Sequence, residues 1–435
     1  MLTDELFSYL VDFMVGEALP ENWIGYTSDE EEFTRYRLVF VPSGFFQEGI
    51  YGTTAAIPKE PLAQLEELPV LFGKPEVCMH HDTMVVYADL IASAFFLMTR
   101  YEELLQAERD VHNRFDAQHA LAKRAGFLHR PLVDEYGTLI RKWLDELGCH
   151  LASAPRGFSK IYLTHDVDTL DYYHHLRGTL GGFKRILMGG NEKWTDILKS
   201  WADINNDIAY TFPWLIEQDR KLPEAEVCFF MKAADKERNP YDRPVYDLQT
   251  ESLQGFNAFC TENACKIGLH ASYASGEDAT LIAGEKKHLE ETFQRNVTAN
   301  RYHYLRTCSP DDMQALADVG ILDDFTMAFA DSIGFRMGTS RPFKWINPKT
   351  LSLTNLTIHP MSVMECTLMS PNYMNLQYSQ AIEQIKQLMD KIYKYNGEVV
   401  LLWHNTSVID PQGDYARLYV DTLDYLCELQ AKLVE

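Results

Sequence analysis

The stretch Ile161-Tyr162-Leu163-Thr164-His165-Asp166-Val167-Asp168 decides the fold, because it carries apolar strand residues directly into a polar cluster. Side chains alternate along a strand, so Asp166 and Asp168 lie on the same face. Many α/β enzymes keep their chemistry at such strand ends. There, one carboxylate can bind a metal ion while the other takes a proton from water. The alternative interpretation is that Asp-Val-Asp only ends the strand, through the turn-forming habit of aspartate.

Three histidines accompany apolar runs further along the chain. Residues 266–269 lead into His270, residues 399–403 lead into His404, and His303 lies within the segment 301–306. A single histidine on a strand is more often a hydrogen-bonded core residue than a metal ligand. Several histidines at the ends of successive strands favour a functional site.

Strands alternate with helical patterns from Lys160 onward, which is typical of a mainly parallel sheet or barrel. The predicted strands are Ile161–Thr164, Val227–Met231, Ile267–His270, Tyr302–Leu305, Phe325–Phe329, Leu356–Pro360 and Val399–His404. This count predicts an α/β fold, namely a distorted seven-stranded (β/α) barrel over residues 158–435.

A long interval without a strand follows Asp168 and predicts a helical insertion at about 170–225. Aromatic side chains in it are expected to be buried anchors, with a sugar-stacking platform as the alternative. These residues are Trp194, Trp201, Phe212 and Trp214.

Residues 1–150 mix strand and helix signals and predict a smaller α+β domain of unknown role. Met84 to Leu105 is predicted as a buried helix, followed by an exposed acidic segment from Glu102 to Asp110. Pro131 to Leu147 has the spacing of an amphipathic helix. Ala152 to Ser159, with a proline and a glycine, is the predicted linker.

Composition restricts the function classes. The chain has 435 residues, too many for one ordinary core, and a formal net charge of -23. Such a charge repels nucleic acid phosphates and anionic lipid, so we expect neither nucleic acid partners nor membrane insertion. Residues 1–17 show no secretory signal and no apolar run reaches membrane-spanning length, which predicts a cytoplasmic protein.

Residues 158–435 resemble the polysaccharide deacetylases of the NodB-homology family of carbohydrate esterases, metal-dependent amidases that remove acetyl groups from N-acetylated sugars. Asp166 and Asp168 match the first family motif, which implies that Asp166 is the catalytic base and Asp168 a metal ligand. The resemblance also implies a barrel of the polysaccharide deacetylase type. Residues 81–145 resemble the extra N-terminal domain of a bacterial branch of these proteins.

The last family motif, Leu-x-His, is matched by Leu402, Trp403 and His404. The match implies that Leu402 lines the acetyl pocket and that His404 is the catalytic acid. Leu402 and Trp403 are therefore the predicted substrate-binding pair of this motif.

The middle motif departs from the family, whose members have two metal-binding histidines four residues apart. His270 is followed at that spacing by Ala274. A divalent cation needs about three protein ligands, and His303 is the predicted substitute. His165 and His359 are weaker candidates. The expected cofactor is a divalent metal ion, with zinc as the first choice; a weakly held or absent metal is the alternative.

Arginines complete the predicted site. Arg301 and Arg306 stand where the family places an arginine that pairs with the catalytic carboxylate, and either can keep Asp166 ionised. The segment Gly334–Thr339 is a candidate binding loop with Arg336 as its substrate-binding side chain; an ordinary turn is the alternative.

The predicted function is metal-dependent hydrolysis of N-acetyl groups on a saccharide substrate. One alternative is a haloacid-dehalogenase-type phosphatase, in which Asp166 accepts the phosphoryl group and Asp323 and Asp324 hold magnesium. The other is a catalytically degenerate saccharide-binding protein of the same fold, as Ala274 permits. Release of acetate, inhibition by a phosphate mimic and analysis of bound metal distinguish the three.

Overall fold

The computed structural model describes residues 2–190 and 192–432. Met1, Asn191 and residues 433–435, which the predicted domains include, lie outside the described residues. The strands are β1 (Ile24–Tyr26), β2 (Leu38–Phe40), β3 (Ala63–Leu65), β4 (Leu68–Val70), β5 (Gly73–His80), β6 (Thr83–Ala88), β7 (Lys160–Val167), β8 (Glu226–Met231), β9 (Lys266–Ala271), β10 (Ala299–Tyr302), β11 (Asp323–Asp324), β12 (Phe343–Asn347), β13 (Ser352–Ile358), β14 (Val363–Met364) and β15 (Glu398–Leu402).

The α-helices are α1 (Asp4–Val15), α2 (Glu30–Phe33), α3 (Leu90–Met98), α4 (Tyr101–Leu105), α5 (Leu121–Arg124), α6 (Leu132–Glu146), α7 (Leu176–Leu187), α8 (Trp194–Ala202), α9 (Phe212–Asp219), α10 (Glu251–Glu262), α11 (Ile282–Phe293), α12 (Asp311–Asp318), α13 (Glu365–Met369), α14 (Tyr378–Lys394) and α15 (Asp414–Ala431). Short 3-10 turns lie at Thr54–Ala56, Ala117–His119, Ile204–Asn206, Pro240–Asp242, Ala279–Leu281, His303–Leu305 and Asn405–Val408.

The larger part of the molecule has a mixed α/β fold. Its sheet has nine strands, in the order β12-β13-β11-β10-β9-β8-β7-β15-β14. Neighbouring strands are parallel except for β12 and β13, which form an antiparallel hairpin. Each predicted strand region contains or adjoins an observed strand, but β12 and β14 were not predicted. The strand predicted at Tyr302–Leu305 ends at Tyr302, so His303 lies just beyond β10.

The segment after β13 connects the two flanks of this sheet and curls it. The backbone N–H of His359 donates to Asp324 O on one side, at 2.9 Å. Three residues later, Ser362 N donates to Val400 O on the other side, also at 2.9 Å. The segment therefore passes from a hydrogen bond with β11 to a hydrogen bond with β15 within a few residues.

Helices cover the sheet, as expected for parallel strands that are buried on both faces. All five residues of β15 are buried. On α14, Ile385, Leu388 and Ile392 form an apolar stripe and pack into the core. Within the described ranges, no helix combines the length and apolar character needed to cross a membrane.

The N-terminal region contains a second sheet, in the order β1-β2-β6-β5, and helices α1, α3 and α6. The predicted helix from Met84 to Leu105 is wrong in its first part, because Val85 and Val86 pair with β2 in strand β6. Asp89 then begins α3 by accepting a hydrogen bond from Ala92 N at 2.9 Å. The helix predicted at Pro131 to Leu147 is present as α6. The division into two domains stays a prediction.

Buried polar contacts join the N-terminal region to the larger sheet. The Asp134 carboxylate on α6 accepts hydrogen bonds from Thr339, Ser340 and Arg341 at 2.7 to 2.9 Å. Gly338, with φ +67°, lies so close to Leu97 that a Cβ would meet its side chain at 2.8 Å. The predicted binding loop Gly334–Thr339 is thus a packing loop between the two parts of the chain.

The predicted insertion is helical and comprises α7, α8 and α9. Phe212 is completely buried and packs against Phe256, with ring centroids 4.6 Å apart. Trp194 and Trp201 contradict the predicted burial, since 58% and 49% of their surfaces are exposed. The inward side of α8 is occupied by Ile197 and Ser200 instead.

Candidate metal centre and its pocket

A cavity of about 270 Å³ opens where β7, β9, β10 and β15 end. Parallel strands bring their carboxyl ends to the same edge, which explains why residues far apart in sequence meet there. The lining side chains include six of the predicted site residues, together with tyrosines, arginines and other groups: Arg114, Asp166, Asp168, Tyr241, Arg243, His270, His303, Tyr304, Leu305, Met364, Cys366, Ser370, Tyr373, Leu402 and His404.

Asp168, His270 and His303 bring three potential metal-ligand atoms within 4.8 Å of one another. Asp168 Oδ1 lies 3.4 Å from His270 Nε2 and 3.2 Å from His303 Nε2. Among the described residues, Asp168 Oδ1 and His270 Nε2 are buried without a hydrogen-bond partner. Buried polar atoms are normally satisfied, so converging unsatisfied ligand atoms fit a bound cation.

A hydrogen bond orients His270, and a carboxylate lies near the Nδ1 atom of His303. His270 Nδ1 lies 2.8 Å from Arg301 O and donates its proton there, which leaves the lone pair on Nε2 facing Asp168. His303 Nδ1 lies 3.8 Å from Asp242 Oδ1, and that oxygen accepts a hydrogen bond from Tyr273 N at 2.6 Å. Asp242 was not predicted, because it lies between prolines in a segment that has only turn signals.

Asp166 is paired with Arg301, whose Nη1 donates to Oδ1 at 2.9 Å. Arg301 is completely buried and lies over the ring of Phe230, 4.5 Å from its centroid. Burial raises the pKa of Asp166, but the electrostatic interactions with His270 and Arg301 outweigh burial and lower it below its ordinary value. Asp166 is therefore ionised at neutral pH.

Arg306, the other predicted partner of Asp166, serves a different purpose. Its guanidinium donates to His112 O and Tyr273 O, each at 2.8 Å, and to Glu277 at 2.9 Å. The backbone turns after β10, so Arg306 points away from the cavity and fastens loops around it. Arg306 therefore does not form the predicted pair with Asp166.

His404 faces the proposed ligands from the opposite side of the cavity. Its Nε2 lies 3.7 Å from Asp168 Oδ2, and its Nδ1 lies 2.8 Å from Glu365 Oε1. Burial lowers the pKa of His404, but the Glu365 carboxylate outweighs burial and holds that pKa well above its ordinary value. His404 is therefore a cation at neutral pH. Ser407 Oγ also donates to Glu365, at 2.5 Å.

Glu365 was missed from the sequence, although a signal exists. It is a single carboxylate in the otherwise uncharged run 361–370 and it is completely buried. A fully buried carboxylate normally has a partner, and here the partner is His404. Together with Cys366, these two residues form a second group of potential ligand atoms within 4.8 Å.

Two predicted substrate-binding residues lie outside the cavity. Trp403 alternates to the side opposite Leu402 and His404, where it is buried and donates from Nε1 to Tyr415 O at 3.1 Å. Arg336 forms a bidentate pair with Glu103, at 3.0 and 2.9 Å. The segment from Glu102 to Asp110 was predicted to be exposed. That prediction is wrong at its start, because Glu102 and Glu103 are both buried.

The remaining candidates are engaged elsewhere. His165 contacts Trp403 O and Asp219, at 2.9 and 3.2 Å. Asp323 contacts His359 at 3.1 Å, and Asp324 accepts hydrogen bonds from side chains of its own sheet. These acidic groups do not line the cavity that contains Asp166, so the geometry does not favour the phosphatase alternative.

The rim of the cavity includes a residue of the N-terminal region. Arg114 is buried, paired with Asp110 at 2.7 Å, and donates from Nη1 to Tyr304 O at 2.7 Å. Tyr241 and Tyr373 lie on the same rim. No local sequence signal connects Arg114 with residues 190 or more positions later.

Residues 4–148 match a family model described as "Family of unknown function (DUF7033)". No curated protein matches the chain. The family model covers one third of the chain and its description names no activity.

Distant likenesses to solved structures concern the larger part of the chain. A "putative polysaccharide deacetylase from Mycobacterium smegmatis" is 14% identical with a TM-score of 0.38, over 63% of this chain and 86% of that one. Puue allantoinase is 11% identical with a TM-score of 0.38, over 64% and 89%. A mutant of BA3943, described as a CE4 family pseudoenzyme with restored enzymatic activity, is 12% identical with a TM-score of 0.32, over 65% and 69%. These likenesses are too distant to assign a family or an activity.

Proposed function

We propose that this protein is a metal-dependent hydrolase that removes acetyl groups from N-acetylated saccharides. One observation carries the proposal: an arginine-paired carboxylate, Asp166, and a carboxylate-paired imidazole, His404, both face the three converging ligand atoms of Asp168, His270 and His303. A base, an acid and a cation site together can hydrolyse an amide.

The donor set of one carboxylate and two imidazoles suits zinc or a similar divalent ion. Asp168, His270 and His303 would hold it. When bound, the ion supplies polarisation of the acetamide carbonyl and acidification of a water molecule.

Asp166 and His404 divide the proton transfers between them. Asp166 takes a proton from water as the water oxygen bonds to the carbonyl carbon. His404 donates its Nε2 proton to the nitrogen as the C–N bond breaks, so that the products are acetate and an amine. Arg301 keeps Asp166 ionised, and Glu365 keeps His404 protonated, which sets the two groups in the required starting forms.

The remaining lining residues support a saccharide as the substrate. Leu402 offers an apolar surface for an acetyl methyl group, and Tyr241, Tyr304 and Tyr373 offer ring faces at the rim. The cavity volume of about 270 Å³ accommodates one sugar residue and leaves a longer saccharide to extend over the rim.

Acetate release tests the proposal directly. The full chain, purified without metal-affinity tags, is assayed with N-acetylated oligosaccharides, and its metal content is measured by mass spectrometry. We expect a divalent ion in the protein and acetate in the product. Asp166→Asn should lower the rate about 10²- to 10⁴-fold, because the general base is lost.

The matched control is Asp82→Asn at an exposed position of the N-terminal region, which should keep the full rate. Bound metal without acetate release from any N-acetylated saccharide would contradict the proposal. Absence of binding when zinc is titrated into the protein would favour the saccharide-binding alternative.

A further inference from the structure

Helix α7 presents an apolar stripe to solvent. Leu176, Leu180, Phe183 and Leu187 recur at helical spacing on one side, with 70%, 60%, 40% and 87% of their surfaces exposed. A globular protein normally buries such a stripe against its core. This one has no cover among the described residues.

Helix α8 continues the exposed apolar surface. Trp194, Leu198 and Trp201 also recur at helical spacing and are 58%, 54% and 49% exposed, whereas Ile197 faces the interior. Of the fourteen large apolar side chains that are exposed in the described part of the chain, eight lie between Leu176 and Trp201. A concentration of exposed apolar side chains of this kind marks an interaction site.

The charge of this surface is opposite to that of the whole protein. Between residues 174 and 202 there are five lysines and arginines and two acidic residues, a local net charge of +3, in a chain whose net charge is -23. On α7, Arg177 and Lys184 flank the apolar stripe on one side, by the helical spacing. Cations beside a leucine and tryptophan face are the arrangement of helices that lie in a membrane interface.

We infer that α7 and α8 form a docking surface for an anionic lipid bilayer. The leucine and tryptophan side chains enter the interfacial region, and the flanking cations contact lipid phosphates. Salt screens charges over about 8 Å at physiological ionic strength, so the local +3 governs the contact although the whole chain is acidic. The overall charge of -23, from which we expected no membrane partner, therefore does not decide the behaviour of this surface.

A second copy of the chain fits the surface less well. An isologous dimer would place two basic surfaces against each other, and like charges in a shared interface are unfavourable. An anionic bilayer instead offers complementary charge.

The docking surface is connected to the catalytic edge of the sheet. The insertion leaves β7 immediately after Asp168, and Asn405 Nδ2 donates to Thr169 O and Ala209 O, at 2.8 and 2.7 Å. The segment from Thr169 to Ala209, which contains α7 and α8, is thus held at both ends beside His404, the residue that precedes Asn405. Docking would bring this edge of the sheet near the lipid surface, whatever reaction the site performs.

Vesicle flotation tests the inference. The full chain is mixed with vesicles of phosphatidylcholine alone, or of phosphatidylcholine with an equal part of phosphatidylglycerol, at physiological ionic strength. We expect flotation with the anionic vesicles. Arg177→Gln with Lys184→Gln should lower the partition coefficient about 25-fold, because each interfacial cation contributes about fivefold.

Leu180→Ser with Leu187→Ser should lower partitioning at least about tenfold, since both side chains are exposed and their removal leaves the core intact. The matched control is Met79→Ser on β5, which exchanges an apolar side chain about as exposed as Leu180 and should change nothing. The inference is overturned if the wild-type chain does not float with anionic vesicles, or if the leucine variant floats equally well. It is also overturned if sedimentation shows a lipid-independent dimer that the leucine variant dissolves.

Discussion

Replacing His359 by Gln should remove a large part of the pH dependence of stability above neutral pH. His359 lies between the two flanks of the main sheet, with Nδ1 2.7 Å from Glu398 Oε2 and Nε2 3.1 Å from Asp323 Oδ1. Burial lowers the pKa of His359, but the hydrogen bonds to Asp323 and Glu398 outweigh burial and raise it to about 9. Its pKa in the unfolded chain is about 6.5.

The direction and size of the effect follow from these two values. A histidine whose pKa is higher in the folded state stabilises the fold fully below about pH 6.5, and this contribution is lost as the pH rises through about 9. The rise in pKa corresponds to about 3 kcal/mol of unfolding free energy. Because Asp323 is partly exposed and water screens its charge, we expect an observed loss of about 2 to 3 kcal/mol.

Urea unfolding from about pH 6 to pH 10 measures this loss. Glu102 and Glu285, whose burial raises their pKa values to about 8 and about 7, titrate in the same range but are present in both proteins and cancel in the difference. The wild-type free energy of unfolding should therefore fall by about 2 to 3 kcal/mol relative to that of the variant. Curves that stay parallel over the whole range would refute the assignment of a charged His359 to this position.

Three further outcomes are expected. His303→Ala should weaken zinc binding at least about 100-fold in a competition titration, because two ligands remain, and unchanged affinity would exclude His303 from the centre. Glu365→Gln should move the alkaline limb of the acetate-release profile to lower pH, since the pKa of His404 falls without the carboxylate; an unmoved limb would assign the acid to another group. Glu103→Ala should lower the free energy of unfolding by about 3 to 5 kcal/mol, because two buried arginines lose their counter-charge, whereas a loss below about 1 kcal/mol in urea unfolding would show that water replaces the carboxylate.

The sequence was sufficient to predict which strand ends meet. Hydrophobic runs that terminate in Asp166, His270 and His404 are local patterns, and parallel strands necessarily bring their carboxyl ends together. Alternation also contained information that was not used: Leu402 and His404 share a face, so Trp403 had to point to the other side. The error at Met84 arose because a buried strand and a buried helix have the same apolar composition over a short run.

Contacts between distant segments were beyond prediction from one sequence. Glu103 and Arg336 are 233 positions apart, and each alone has the appearance of a solvent-exposed charge. Their pairing depends on how the N-terminal region packs against the main sheet, which no periodicity encodes. The same is true of Arg114 at the rim of the cavity.

The position of His303 shows how three potential ligand atoms can converge without two histidines four residues apart. In β9 and β10 the parallel register places Arg301 beside His270, so a residue shortly after Arg301 reaches the same edge as one shortly after His270. Position 274 is alanine here, whereas the family that the sequence resembles has its second histidine there. His303, which directly follows the neighbouring strand β10, brings its Nε2 to 3.2 Å from Asp168 Oδ1. Coordination requires donor atoms at the right separation and not their spacing in the chain. A search that requires two histidines four residues apart would therefore reject this chain. A search that uses strand register to decide which side chains are neighbours would find His270 and His303 together.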